Sequence, residues 1–296
     1  MNSTQLRFSR RKVLTQCVGM ASFASAASPW HLLLASPSSR WFKIGACDGC
    51  LGKSSDPTAL DVAREIGLDG VQVDMGSVKN DMRLRRPEVQ QAYRDAMKRT
   101  GLEVPSLMIG EMNAVPLKSD PRAAQWLVDS IDVCQALKAE VVLAACFFAG
   151  DIDFRRTAEI DQVVKVLKDV APKAEKAGVT IGMENYMSAE DNIRLIDRVG
   201  SSAVKVYYDV GNSTDKGRNV AKEIRQLGKL ICELHAKDGK YLLGQGRIDF
   251  REVRRALDDV EYSGWIQLES VHPNGVIADY TAQGRFLKGL FPAKGD

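Results

Sequence analysis

Eight short apolar runs alternate with amphipathic stretches along most of this 296-residue chain. Each run has five to seven residues and is rich in Val, Ile, Leu and aromatic residues, which is typical of buried strands. An alternation of buried strands with helices restricts the chain to an α/β fold with a parallel sheet. The predicted strands are 41–46, 70–74, 103–109, 140–146, 179–184, 204–209, 230–236 and 265–269.

Between the strands, apolar residues recur every three or four positions, as they do in helices packed on a sheet. Asp56 and Asp120, each followed by a proline, place a capping carboxylate before a residue suited to the first helical turn. Gly67, Gly101 and Gly178 are placed to end helices and lead directly into strands. The predicted helices are 56–67, 87–101, 121–138, 159–177, 189–199, 218–228, 250–260 and 276–290.

Eight strands that are each followed by a helix predict a (β/α)8 TIM barrel. Without an N-terminal signal, about 260 residues remain, close to the roughly 250 that such a barrel commonly uses. An open doubly wound sheet is the alternative, but that fold usually has a glycine-rich phosphate loop after its first strand. Residues 45–50 (GACDGC) match such a loop poorly. We therefore predict a processed N-terminal region, 1–40, and a barrel domain, 41–296.

The N-terminal region has the three parts of an export signal. Arg10 and Arg11 stand just before an apolar Ala/Ser-rich stretch, no acidic residue precedes Asp48, and residues 24–26 (ASA) offer a small-residue cleavage site. This combination predicts a twin-arginine signal peptide, with the twin-arginine export machinery as the partner of the precursor and the periplasm as its destination. The apolar stretch is too short and too polar for a stable membrane span.

The charge of the exported chain argues against nucleic acid or anionic lipid as a partner. The whole chain has 41 basic and 38 acidic residues, and removal of residues 1–26 leaves 37 basic residues against the same 38 acidic ones. A nearly neutral protein has no electrostatic footprint for a polyanion. Homo-oligomerisation is left open by the sequence.

Cysteines are only mildly informative. Five remain after the signal is removed, an odd number that cannot form a complete disulfide framework. Cys47 and Cys50 form a C-x-x-C pair, which we interpret as two loop thiols or a local disulfide without a catalytic role.

Four consecutive predicted strands in the second half end in a residue that can bind a divalent metal. The strand C-terminal ends of a (β/α)8 barrel meet at the active-site mouth, so these side chains are expected to converge. Charges that converge on one pocket are costly unless a cation neutralises them. The sequence therefore predicts a metal site and an enzyme. The four segments are IGMEN, VYYDVGN, ELHAKD and IQLES, and their metal-binding residues are Glu184, Asp209, His235 and Glu269.

Three carboxylates and one imidazole make an oxygen-rich site. This ligand set favours Mn²⁺ or Mg²⁺, and Co²⁺ or Zn²⁺ are also compatible with it. The chain has only three histidines, and His31 lies near the processed region. A multi-zinc hydrolytic centre built on several imidazoles is therefore excluded, and one divalent metal ion is predicted.

The order E-N, D-x-G-N, H-x-K-D and a final strand-ending Glu resembles the xylose isomerase-like barrel superfamily. Within it, the pattern is similar to the sugar phosphate isomerase/epimerase branch that includes ketose 3-epimerases and hydroxypyruvate isomerase. Residues 244–250 (GQGRIDF) also resemble that branch's G-x-G-x-hydrophobic-Asp-aromatic loop. The resemblance covers essentially all of the predicted mature chain. It implies that Glu184, Asp209, His235 and Glu269 are the metal ligands, and that Glu184 and Glu269 also form the acid/base pair.

The chemistry of such an isomerase agrees with this set of residues. Moving a proton next to a sugar carbonyl needs a base on one face of the substrate, an acid on the other, and a cation at the developing enediolate oxygens. The predicted activity is therefore a metal-dependent isomerisation or epimerisation of a sugar or sugar derivative through a metal-stabilised enediolate.

Further polar residues at or near the strand ends are predicted to bind the substrate. Epimerases of the resembling branch often carry a His three residues after the metal-binding Asp, where this chain has Asn212. Export also favours an unphosphorylated or oxidised sugar, because phosphorylated sugars are mainly cytoplasmic. The predicted substrate-binding residues are Asp74, Glu111, Asn185, Asn212, Lys237 and Arg247.

Other functions compete with the isomerase. The same enolising groups would let a lyase or hydrolase act on a 3-keto-glycoside by expelling its glycosidic leaving group. A non-catalytic periplasmic sugar-binding barrel is a second alternative. The AP-endonuclease branch of the superfamily is disfavoured by the few histidines and the near-neutral mature charge.

Overall fold

The computed structural model describes residues 42–292, and the predicted (β/α)8 barrel is confirmed there. Eight parallel strands close into a barrel in chain order, with the last strand paired to the first. The strands are β1 Phe42–Cys47, β2 Gly70–Asp74, β3 Ser106–Ile109, β4 Val141–Cys146, β5 Thr180–Asn185, β6 Val204–Asp209, β7 Ile231–Ala236 and β8 Gly264–Leu268.

Helices connect the strands, and one of them was not predicted. This short helix, α6, follows β6 directly and is capped by Asp209, whose carboxylate accepts a hydrogen bond from the Asn212 amide at 2.8 Å. The helices are α1 Ala59–Ile66, α2 Pro87–Thr100, α3 Pro121–Leu137, α4 Thr157–Ala177, α5 Ala189–Val199, α6 Val210–Asp215, α7 Val220–Leu227, α8 Phe250–Asp259 and α9 Val276–Leu290.

Most element boundaries lie within two residues of the prediction, and two differ by three residues for local reasons. β3 begins at Ser106 rather than at 103, because Pro105 has no N–H to donate to the sheet. α1 begins at Ala59 rather than at 56. The Asp56 carboxylate accepts from the Thr58 amide at 2.9 Å, so it caps the turn that precedes the helix instead of the helix itself.

Other predicted boundary residues act as expected. Asp120 caps α3 by accepting from the Arg122 amide at 2.9 Å. Gly178 ends α4 in the left-handed conformation, with φ of 69°, which a residue with a Cβ adopts at a cost. The chain therefore turns directly from α4 into β5, which carries the first predicted metal ligand.

Packing inside the barrel differs from one side to the other. A continuous apolar core lies between the strands and the helices, whereas a separate apolar cluster inside the barrel centres on β4. On the remaining strands, several buried side chains of this interior are polar, and they lie beneath the mouth that the strand ends form. The apolar cluster comprises Val141, Leu143, Ala145, Phe147 and Tyr207. The buried polar residues include Gln72, Ser106, Glu233 and Gln267.

Among residues 42–292, no helix is both long enough and apolar enough to cross a bilayer. The predicted signal peptide falls outside the described residues, and the domain boundaries stay a prediction.

Candidate metal centre

The structure brings the four strand-end residues together. Glu184 is the second-last residue of β5, Asp209 ends β6, His235 is the second-last residue of β7, and Glu269 directly follows β8. Each offers one ligand atom, and these atoms all lie within 4.8 Å of one another. His235 is fully buried, whereas 30% of the Glu269 side chain is exposed, so the cluster has a closed floor and an open side.

One ring nitrogen of His235 faces the three carboxylates. Its Nδ1 lies 2.9 Å from Glu184 Oε1, 3.5 Å from Glu269 Oε2 and 3.9 Å from Asp209 Oδ2. At 2.9 Å, a protonated Nδ1 can donate a hydrogen bond to the Glu184 carboxylate. A divalent cation among these atoms would replace that proton and would satisfy all four groups at once.

The electrostatics of the cluster require positive charge. Burial raises the pKa of Asp209 to about 7; the Lys237 ammonium opposes this, and Glu269 and Glu184 add to it. Burial works to lower the pKa of His235, but Glu184 and Glu269 outweigh it and raise that pKa to about 10. Burial also works to raise the pKa of Glu269, yet His235 and Lys237 hold it below its ordinary value. The donor set therefore fits a divalent cation.

Lys237 supplies part of that positive charge in the metal-free site. Its Nζ lies 2.7 Å from Asp209 Oδ2 and 2.7 Å from Glu269 Oε2, so it bridges two of the predicted ligands. The glycine of the D-x-G-N motif makes room for it, because a Cβ on Gly211 would lie 2.3 Å from Lys237 Cγ. Lys237, predicted as a substrate contact, thus lies at the cluster itself.

The H-x-K-D and G-x-G-x-I-D motifs meet in a loop that follows β7. The Asp238 carboxylate accepts hydrogen bonds from the backbone amides of Gly246, Arg247 and Ile248. Asp249 then caps α8. A Cβ on Gly246 would lie 2.3 Å from Asp238, so this glycine permits the close approach. These motif residues shape the loop beside the mouth.

Asp74 and Glu111 lie on the other side of the mouth. Asp74 ends β2, and Glu111 lies in the turn Gly110–Asn113 that follows β3. Burial raises the pKa of Asp74 to about 7, and the neighbouring Asp48 and Glu111 contribute to this. Both residues are partly exposed and stand where a substrate would enter, and their role as substrate ligands stays a prediction.

The other predicted substrate-binding residues have partners within the protein. Asn185 donates to Asn192 and accepts from the Met187 amide, which orders the loop after β5. Asn212 is half-buried in α6. Arg247 is exposed and forms an ion pair with Asp215 at 2.6 Å. The structure does not bring Asn185 or Arg247 into the metal cluster.

Two residues close to His235 were not predicted as part of the site. Gln72 lies in the middle of β2, and Cys47, predicted as a loop thiol, is the last residue of β1. Both are buried and face the second ring nitrogen of His235. Cys47 and Cys50 are both free thiols. A polar residue in the middle of the apolar run GVQVD was the available signal for Gln72.

A cleft of about 300 Å³ lies beside the mouth, between the loops after β4, β5 and β6. Tyr186 and Lys216 form part of its wall, with Lys216 Nζ 4.2 Å from the centre of the Tyr186 ring. The Tyr186 ring also packs edge-on against Phe147 of the barrel interior. The cleft therefore extends the mouth outward along an aromatic wall.

Fold and site together define a (β/α)8 barrel with a buried carboxylate and imidazole cluster at its mouth. The chain belongs to the xylose isomerase-like TIM barrel family, whose sequence profile matches residues 60–289. The fold and the superfamily predicted from the sequence are therefore confirmed.

Several relatives and solved structures of similar sequence or fold are epimerases. D-psicose 3-epimerase of Enterocloster bolteae is 24% identical over 228 residues, which cover 71% of this chain and 75% of the relative. A 2-epi-5-epi-valiolone 7-phosphate 2-epimerase of Actinoplanes sp. is 25% identical over 215 residues, with 69% and 77% covered. Epimerases are isomerases, so the predicted enzyme class is confirmed by these relatives.

Solved structures show the same fold at low identity. D-allulose 3-epimerase of Methylomonas sp., in complex with D-allulose, superimposes with a TM-score of 0.70 at 17% identity, covering 85% of this chain and 98% of that one. The 3-keto-D-glucoside 4-epimerase of E. coli superimposes with a TM-score of 0.71 at 16% identity, covering 84% and 99%.

Proposed function

We propose that this protein is a divalent-metal-dependent isomerase or epimerase that acts on a sugar or sugar derivative. The observation that carries the proposal is the convergence of four ligand atoms, from Glu184, Asp209, His235 and Glu269, within 4.8 Å at the barrel mouth. The epimerase names of the relatives support the same reaction class.

The four residues would hold one metal ion, with Mn²⁺ or Mg²⁺ favoured by the oxygen-rich set and Co²⁺ or Zn²⁺ as substitutes. When bound, the cation would supply charge stabilisation for the oxygens of an enolising sugar. With Asp209 and Glu269 holding a cation, the Lys237 ammonium that bridges them would be free to donate to a substrate oxygen.

Glu184 and Glu269 would transfer the proton. They come from strands that are not adjacent, Glu184 from β5 and Glu269 from the end of β8, and we infer that they reach opposite faces of a bound sugar. One carboxylate would remove the proton from the carbon next to the carbonyl, and the other would return a proton from the opposite face. Either order reverses the configuration at that carbon.

The substrate proposed is an uncharged sugar rather than a sugar phosphate. Two cations near the mouth already have partners: Arg218 donates to the carbonyls of Tyr186 and Met187, and Arg247 pairs with Asp215. A phosphate would have to compete for each of them. Turnover of matched free and phosphorylated ketoses tests this, and a preference for the phosphorylated sugar would contradict it.

A lyase or hydrolase acting on 3-keto-glycosides is the second candidate. The cleft beside Tyr186 leaves room for a leaving group attached to the sugar in the mouth. The structurally similar 3-keto-D-glucoside 4-epimerase handles an oxidised glycoside. Product analysis separates the two candidates, because an epimerase conserves substrate mass whereas a lyase or hydrolase yields two fragments.

The decisive screen uses the chelator-treated protein with free ketoses and 3-keto-glycosides, with and without Mn²⁺. We expect turnover of at least one sugar that is lost with chelator and restored by metal. Tight sugar binding without turnover in the presence of each candidate metal would instead favour the non-catalytic sugar-binding alternative.

We also propose that the protein is exported by the twin-arginine pathway and acts in the periplasm. The support is the arrangement of Arg10, Arg11 and the apolar stretch in the sequence. Cell fractionation of the full-length chain and of an Arg10→Lys, Arg11→Lys double variant tests it. Periplasmic accumulation of both in equal amounts, or of neither, would contradict the proposal.

A further inference from the structure

The two ring nitrogens of His235 have different partners. Nδ1 faces the three carboxylates of the cluster, and Nε2 lies 2.9 Å from Oε1 of Gln72. The thiol of Cys47 donates to the same Oε1 at 3.1 Å. Gln72 has no exposed surface, so this oxygen has no access to bulk water and must accept its hydrogen bonds from groups of the protein.

Hydrogen bonds beneath Gln72 fix which end of its amide faces His235. Gln72 Nε2 donates to the hydroxyls of Tyr207 at 2.8 Å and Ser106 at 3.2 Å. Ser106 Oγ donates in turn to Oε1 of Glu233 at 3.0 Å, and Gln267 Nε2 donates to that oxygen at 2.6 Å. Since Ser106 uses its single proton on Glu233, it can only accept from Gln72. The Gln72 NH₂ group must therefore face the barrel floor.

This polarity sets the state of the imidazole. A carbonyl oxygen only accepts hydrogen bonds, so the nitrogen beside Gln72 Oε1 must carry a proton. Nε2 is then the protonated nitrogen, and Nδ1 is the one that can offer a lone pair to a cation. Outer partners of this kind orient metal-binding histidines and tune their affinity.

We propose that Gln72, anchored through Ser106 to Glu233, is a positioning residue that fixes the ring orientation and tautomer of His235 for metal binding. The inference rests on the proposed metal site. In this arrangement, a residue in the middle of β2 orients a metal-binding side chain that is carried by β7.

Gln267 provides a matched control. It is the same residue type, it is equally buried in the barrel interior, and it donates to the same oxygen of Glu233. No hydrogen bond to His235 is found for it within residues 42–292. Replacement of either glutamine by Met keeps the approximate volume and removes one buried amide. Gln267→Met removes one hydrogen bond, to Glu233, whereas Gln72→Met removes those to Ser106, Tyr207 and Cys47 and is the variant that takes away the acceptor of Nε2.

The experiment measures Co²⁺ affinity of the chelator-treated wild type, Gln72→Met and Gln267→Met by competition with a coloured chelator. The visible absorption spectrum of each protein is recorded at saturating Co²⁺. We expect Gln72→Met to bind Co²⁺ about 10- to 100-fold more weakly and with an altered spectrum. Gln267→Met should stay within about twofold of the wild type, with its spectrum unchanged.

The outcomes separate this inference from the proposed function. No Co²⁺ binding by the wild type would overturn the metal site itself. Wild-type-like affinity and spectrum for Gln72→Met, or an equal loss in both variants, would overturn the positioning role alone. If Gln72→Met does not fold, Ser106→Ala takes its place, because it removes the anchor and leaves Gln72. An unchanged Co²⁺ affinity and spectrum in Ser106→Ala would then contradict the inference.

Discussion

The two halves of the barrel contribute different chemistry to one site. Strands β5 to β8 deliver charged groups at their C-terminal ends, where the side chains reach the mouth. Strands β1 to β3 contribute the neutral groups Cys47, Gln72 and Ser106 to the network at the second ring nitrogen of His235. Their carboxylates, Asp74 and Glu111, lie across the mouth and outside the cluster. On the proposals made above, the second half supplies the metal-binding groups, and the first half orients one of them.

The largest effect is expected from a second-half residue with two roles. Glu269→Gln should lower turnover about 10²- to 10⁴-fold, because the amide cannot exchange a proton with the substrate. Metal should still bind, since an amide oxygen can occupy a ligand position. Steady-state kinetics and metal analysis check both parts. Glu190→Gln, at an exposed position on α5, is the matched control and should retain wild-type turnover.

Lys237→Met tests the charge balance of the second half. It leaves the carboxylates of Asp209 and Glu269 without the cation that bridges them, which should cost the metal-free protein about 3 kcal/mol of stability. Mn²⁺ should restore most of the loss. Urea unfolding with chelator and with Mn²⁺ measures it, with the exposed Lys98→Met as control. Equal losses of unfolding free energy with and without Mn²⁺ would show that Lys237 does not balance the charge of the cluster.

Asp48→Ala tests whether a buried first-half residue that does not contact His235 contributes only to stability. The buried Asp48 carboxylate accepts from the amides of Ser55 and Asp74, at 2.8 and 3.0 Å, and thereby holds the loop after β1 against the end of β2. Its loss should cost about 2 kcal/mol of unfolding free energy. Co²⁺ affinity should stay within about twofold. A large loss of metal affinity at full stability would place Asp48 in the site.

A pH titration needs no substitution. In the metal-free protein the pKa of Asp209 is raised to about 7 and that of His235 to about 10, so both groups hold protons at pH 6. A metal ion must displace them. Mn²⁺ affinity should therefore rise with pH, roughly 100-fold per unit below pH 7, where both protons are displaced, and roughly tenfold per unit above pH 7, where the His235 proton remains. Calorimetry in two buffers of different ionisation enthalpy measures the number of protons released on Mn²⁺ binding. If no protons are released at pH 6, the assignment of Asp209 and His235 as metal ligands is contradicted.

The contrast between the halves also explains what the sequence could predict. Glu184, Asp209, His235 and Glu269 were predictable because each is a titratable residue at the end of an apolar run, and the barrel rule places such ends together. Gln72 and Ser106 lie within or at the start of their strands and not at the C-terminal ends. Their partners include residues of β6 and β7, on other sides of the barrel. Their role therefore depends on how distant strands are aligned, which a single sequence does not give.

Local partners limited the prediction of the substrate-binding residues. The types and positions of Asn185, Arg247 and Lys237 predict substrate contacts, yet each has a partner elsewhere in the chain. These partners are Asn192, Asp215 and the carboxylates of Asp209 and Glu269. The distances between these pairs in sequence vary too much for spacing to reveal them. The short helix α6 was missed because its six residues are too few to show an apolar period.

The central claim is that the second-half cluster holds one divalent cation. Calorimetric titration of chelator-treated wild type and Asp209→Ala with Mn²⁺ tests it most directly. We predict one ion per chain in the wild type and a loss in the variant that exceeds the roughly 100-fold reached by outer-shell changes. Equal Mn²⁺ binding by the two proteins, or no binding by the wild type, would contradict the claim.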